Sequence, residues 1–271
     1  FVRSGIELAP LTMPLNAARE PFVFPDLPVL TYKRLPALLV DALPDDFGNS
    51  LIDAWMATQG VEKTQITSLD RLAYMGKRGM GALEFKPVRG PKSSGTGTAI
   101  ELAELVESAR QAVRGELNTD AMAAAALAQI VSVGTSAGGA RAKAAIAWNP
   151  STNEIRAGQF DLAPGFEHWL LKFDGMGNDH ELGVGQDYGR IEYAYHRMAL
   201  QAGISMSPSR LLEESGRAHF MTKRFDRERN TRHHVQTLCA MAHMDYRQKA
   251  THDVSQLFLT MGRLHLGYSA M

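Results

Sequence analysis

The sequence predicts an α+β chain: an N-terminal subdomain, an antiparallel-sheet lobe with one helix, and the start of an all-α lobe. Three observations carry this. Strand-like runs meet across turn residues at Asn149-Pro150-Ser151-Thr152-Asn153 and again at Ser215-Gly216, which marks two hairpins. Between them, residues 190–202 read as a helix that stops at Gly203. After Arg227 the pattern turns helical, at 234–243 and 252–264.

In chain order, Pro10, Pro14, Pro21, Pro25 and Pro28 exclude long regular elements at the start. Leu35 to Gln59 carries two helices joined at Leu43-Pro44-Asp45-Asp46, with Pro44 suited to a first helical turn and the carboxylates to the positive helix end. Ser68 is expected to cap the next short helix, and Met80 to Phe85 to form a strand. Residues 1–86 are taken as the N-terminal subdomain and 87–97, rich in Pro, Gly and Ser, as a linker. Thr98 and Glu101 form a capping box for a helix running to Arg114, and a second helix spans Ala121 to Gln129. The strands are expected at 143–148, 154–160 and 166–173. The sheet lobe is then 98–227, and 228–271 holds the first helices of a further lobe.

The chain has 271 residues, enough for a large core, and its 29 basic and 29 acidic residues balance, so total charge points to neither nucleic acid nor a membrane surface. The single cysteine, Cys239, excludes an internal disulfide framework and suits a reducing, cytoplasmic setting. The uncharged stretch Ala121 to Val133 falls short of the roughly 20 residues a bilayer helix needs. The opening at Phe1 is read as the interior of a longer protein.

The residues that carry chemistry form an ordered series. A Gly-rich loop runs from Val133 to Lys143, with Ser136, Gly138, Gly139, Ala140 and Arg141 at its centre. Its glycines either turn the chain from helix to strand or leave backbone N–H groups free to cradle phosphates. It is neither a Walker A loop nor a G-x-G-x-x-G loop. Lys172 is the lone charge in the apolar run Trp169–Phe173, so it either snorkels out or meets a partner. Glu192, near the start of the next helix, is that partner or an ordinary first-turn carboxylate. Glycine loop, strand lysine and helix glutamate, in that order, make up the nucleotide-gripping half of a protein kinase. Two look-alikes are read as structural. Asp46-Phe47-Gly48 precedes the glycine loop, and Asp226 with Asn230 has the wrong spacing for a catalytic loop. His233, His234, His243 and His252 lack the spacing of a zinc site and are read as a solvated helix start.

Taken together, Leu43–Asn49, Arg78–Phe85, the Ser136 loop, His168–Phe173 and Lys223-Arg224-Phe225-Asp226-Arg227 resemble the HipA family in one order along nearly the whole chain. That family comprises bacterial serine/threonine kinases that act as toxins of toxin–antitoxin modules, connected with persistence. The resemblance implies a kinase-like fold, with ATP and Mg²⁺ as cofactors and a protein Ser or Thr as substrate. It implies as partners a HipB-like helix-turn-helix antitoxin and, through it, operator DNA. By the same resemblance Ser136 is the autophosphorylated loop serine, Lys172 and Glu192 the phosphate-holding pair, and Lys223, Arg224 and Phe225 the hinge beside the adenine. The catalytic and metal-binding aspartates are expected beyond Met271, so that the chain alone is expected to be inactive. A non-catalytic regulatory module that binds antitoxin or nucleotide is the alternative.

Overall fold

The computed structural model describes residues 5–91, 99–114, 127, 128, 130, 131, 141–159, 161–175 and 187–267. Among these the elements are α1 (Val29–Tyr32), α2 (Ala37–Val40), α3 (Asp46–Thr58), α4 (Ser68–Met75), α5 (Leu102–Arg114), β1 (Lys143–Trp148), β2 (Ile155–Ala157), β3 (Glu167–Lys172), α6 (Tyr188–Gln201), β4 (Ser209–Glu214), β5 (Arg217–Lys223), β6 (Arg227–Glu228), β7 (Thr231–Arg232), α7 (Leu238–Ala242) and α8 (Val254–Arg263), with 3₁₀ turns at Leu15–Ala17 and Lys63–Gln65. The chain divides into two compact units, one of Pro44–His233 and one of Phe1–Leu43 with His234–Met271.

The larger unit is α+β, built on a five-stranded sheet of order β2-β1-β3-β5-β4, with every pairing antiparallel. Alternation along the strands places Ala144, Ile146 and Trp148 of β1, Trp169 and Leu171 of β3 and Met221 of β5 in one core. Against them pack Leu51, Ile52 and Met56 of α3 and Leu105, Val106 and Ala109 of α5. Apolar residues recurring three and four apart on α3 and α5 provide that stripe. Trp148 and Trp169, one strand apart, meet edge to face at 5.4 Å. The β4–β5 hairpin closes through Ser215 and Gly216, with φ of 47° and 80°; two consecutive left-handed residues match the twist of the strands, and glycine makes the second cheap.

Several boundaries differ from the sequence expectation. Pro44 lies outside α3, whose N-cap is Asp45, accepting from the Gly48 N–H. Helix α4 is capped by Thr67 in a reciprocal box with Asp70, and Ser68 is its first residue. Residues 80–85 form no strand, because their backbone groups go to side chains instead: the Gly81 N–H donates to Asp226, and the Gly81 and Leu83 carbonyls accept from Arg227 and Arg232. The α5 helix starts at Leu102 rather than just after Thr98, since the Ile100 N–H donates to the Ile155 carbonyl and extends the sheet edge. The short β6–β7 ladder, absent from the sequence reading, pairs Arg227 with Arg232 and Glu228 with Thr231. His233 follows it and lies on no helix. The expected helix 121–129 falls mostly outside the described residues.

In the smaller unit, Tyr32, Ala37 and Ala240 form a small core, and Asp41 receives both the N–H and the hydroxyl of Thr237, the N-cap of α7. The helix expected at 234–243 is thus shortened to five residues and ends at His243, whose φ is 53°. Capping by Asp253 through Ser255 and Gln256 opens α8.

Candidate functional site

Lys172 closes β3, with Lys143 of β1 and Phe220 of β5 as its register partners. Two lysines directly opposed on neighbouring strands repel. The fold separates them by giving each its own acid. Lys143 pairs with Asp45 at 2.5 Å, and both side chains are sealed, at 3% and 4% exposure. Lys172 donates to Glu192 of α6 at 2.6 Å, and these two stay about one-third open, at 34% and 30%. The exposures assign different work: the first pair fastens α3 to the sheet, and the second is held in place yet reachable by a ligand.

Three contacts set α6 where Glu192 can reach Lys172. The buried Asp174, two residues past Lys172, accepts from the N–H groups of Asp187 at 3.1 Å and Tyr188 at 2.9 Å. At Gly189 a Cβ would stand 1.9 Å from the Ala218 carbonyl oxygen, so only glycine permits so close a crossing of α6 over β5. Arg141, where the glycine loop enters β1, lays its guanidinium over the Tyr188 ring, 3.6 Å from the centroid. The end of the glycine loop, the strand lysine and the first turns of α6 therefore converge.

The run 223–227 closes the end of β5. Lys223 pairs with Glu167 at 2.6 Å, and its N–H donates to the Pro208 carbonyl. The Arg224 N–H donates to the His168 carbonyl, and its buried guanidinium grips Asp226 with two bonds, at 2.9 and 2.7 Å. Arg227 adds a third bond to Asp226 at 2.6 Å and reaches the Gly79 and Gly81 carbonyls. Burial alone would raise the Asp226 pKa, but the Arg224 and Arg227 charges and the Gly81 N–H hold it below the ordinary range. Burial and the neighbouring Arg224 pull Arg227 down to about 10. This cluster ties residues 79–84 to the sheet end. Asp226 is structural, as the sequence reading holds, and the Arg224 side chain is structural with it. Phe225 is 69% exposed. Of the three backbone N–H groups at 223–225, those of Lys223 and Arg224 are taken by the Pro208 and His168 carbonyls.

Asp46-Phe47-Gly48 is the first turn of α3. Ser136, Gly138, Gly139 and Ala140 lie outside the described residues. Asp174 and His219 are not singled out by the sequence reading, and Asp45 is read there only as a helix-end carboxylate; an acid just past a strand is a common loop residue, and only the fold reveals what Asp174 caps. Among the described residues no group of three His, Cys, Asp or Glu side chains is placed to hold a metal ion, and no helix is long and apolar enough to cross a membrane.

Two family models match this chain: the HipA N-terminal domain over residues 1–86 and the HipA-like C-terminal domain over residues 135–268. No curated protein matches it.

Proposed function

Because this chain belongs to the HipA family, we propose that it is the nucleotide-gripping part of a HipA-like toxin, a kinase that transfers the ATP γ-phosphoryl group to a protein Ser or Thr. The observation that carries this reading is the Lys172–Glu192 pair, one-third open, beside the start of α6. A sealed lysine–carboxylate bridge offers a ligand nothing, whereas here about one-third of each side chain stays exposed. Glu192 fixes the ammonium, which can then meet phosphate oxygens without paying its full ordering entropy on binding. Residues 98–227 would be the kinase-like lobe, 1–86 the HipA-type N-terminal subdomain and 228–271 the first part of the helical lobe.

ATP, when bound, supplies the transferable phosphoryl group. Lys172 holds its phosphates, Arg141 stacks on Tyr188 at the start of α6, and Lys223 to Phe225 border the adenine with backbone groups. Ser136, in the loop, is the proposed autophosphorylation switch: a phosphate there adds roughly two negative charges beside the nucleotide's own and drives the loop outward. A helix-turn-helix antitoxin, and operator DNA through it, are the proposed partners. Mg²⁺ belongs to the same reading.

Asp226, the residue most like a catalytic aspartate within the chain, is locked by two arginines. That observation favours, as a second reading, a module that binds nucleotide or antitoxin without transferring phosphate. Full-length protein carrying Lys172→Met decides the question. Loss of both ATP binding and phosphate incorporation at Ser136, with an unchanged unfolding transition, is the expected outcome. Undiminished incorporation in that variant would remove the basis of the proposal, and wild-type binding without any incorporation would favour the module.

A further inference from the structure

We propose that Asp174 is a positioning residue for the Lys172–Glu192 pair, acting as a second strut between β3 and α6; the inference rests on the nucleotide-binding reading of that pair. Lys172 and Asp174 stand on one strand end, and Tyr188 and Glu192 stand one turn apart on one helix. The ion pair and the Asp174 bonds therefore join the same two bodies at two points. A single contact leaves a helix free to pivot. Two contacts fix its pitch, and here the second lies at the helix start, where unsatisfied N–H groups favour a carboxylate.

The local chemistry shows that α6 depends on this acid. Its N-cap, Asp187, sits in the left-handed region at φ 69° and makes no side-chain capping bond of its own. The carboxylate comes instead from Asp174, bonded to the Asp187 and Tyr188 N–H groups at 3.1 and 2.9 Å. Asp174 is itself held. Its backbone N–H donates to Nδ1 of the fully buried His219 at 2.9 Å, and its carbonyl accepts from Arg217. His219 lies on β5, the strand that α6 crosses at Gly189. Strand β5 thus sets Asp174, Asp174 sets the start of α6, and α6 presents Glu192 to Lys172.

The test uses the full-length protein as wild type, Asp174→Ala, Asp174→Asn, Glu192→Gln and the Asp174→Ala/Glu192→Gln double variant. Two quantities are read: amide hydrogen exchange along the chain, and affinity for a non-hydrolysable ATP analogue with Mg²⁺. In Asp174→Ala the Asp187 and Tyr188 amides are expected to exchange at least tenfold faster while β3 and β5 keep their protection. Analogue affinity is expected to fall about tenfold, and Asp174→Asn, which keeps one acceptor oxygen, to fall between. In the double variant the analogue should bind no worse than to Glu192→Gln alone, because Asp174 acts through Glu192. Unchanged exchange at Asp187 and Tyr188, or affinity losses that multiply, would overturn the proposal. Should Glu192→Gln bind the analogue as wild type does, the nucleotide reading fails, and the exchange result alone still decides whether the strut exists.

Discussion

Two acids of the larger unit, Glu192 and Asp226, each meet a cation within 2.6 Å, yet burial gives them opposite consequences. Glu192 is partly solvated, so its pair with Lys172 is worth at most about 1 kcal/mol to folding. Glu192→Gln is therefore expected to leave the urea midpoint nearly unchanged while weakening nucleotide binding. Asp226 is fully buried between Arg224 and Arg227. Asp226→Ala leaves two buried guanidinium groups uncompensated, which costs about 3–5 kcal/mol. Equilibrium denaturation measures both. Equal losses in the two variants would show that exposure does not separate the proposed binding pair from the structural one.

At the scale of elements, the angle of α6 is decided by one missing side chain. Gly189→Ala would put a Cβ 1.9 Å from a β5 carbonyl and 3.0 Å from the Phe220 nitrogen, both rigid backbone atoms. The helix start must lift, and Glu192, one turn on, is carried away from Lys172. The expected result is a loss of nucleotide affinity greater than Glu192→Gln produces, together with faster exchange of the first α6 amides. A crystal structure of the variant with the 2.6 Å pair intact would contradict it. From the sequence, Gly189 is an unremarkable residue before a helical run. What was legible was periodic or local: the hairpin at Ser215-Gly216, the strand around Lys172, the helix carrying Glu192. What was illegible depended on partners distant in the chain. Residues 80–85 are expected as a strand, but Asp226, Arg227 and Arg232, some 145 positions later, take their backbone groups. Asp174 likewise became visible only once Tyr188 stood beside it.

At the scale of the whole molecule, stability is expected to depend on pH through two buried histidines of the larger unit, held neutral in opposite tautomers. His168 donates from Nδ1 to the Gly158 carbonyl, whereas His219 accepts at Nδ1 from the Asp174 N–H. Burial, assisted by the nearby Arg224, pushes His168 from 6.5 down to about 4, and burial lowers His219 in the same direction. A depressed folded pKa means that the unfolded chain binds the proton first. The stability from the neutral ring is fully present above pH 6.5 and drains as pH falls toward 4, by about 3 kcal/mol for His168. Asp226, also depressed, extends the loss below the ordinary carboxylate range. Asp41 in the smaller unit, raised by burial, contributes the opposite sign. Urea midpoints measured from pH 7.5 to 4.5, followed by Trp148 and Trp169 fluorescence to report on the larger unit, should therefore decline steadily. His168→Asn keeps a donor for the Gly158 carbonyl but cannot titrate, so it should flatten that decline by His168's share. If its pH dependence instead parallels that of the wild type, the loss arises from groups other than His168.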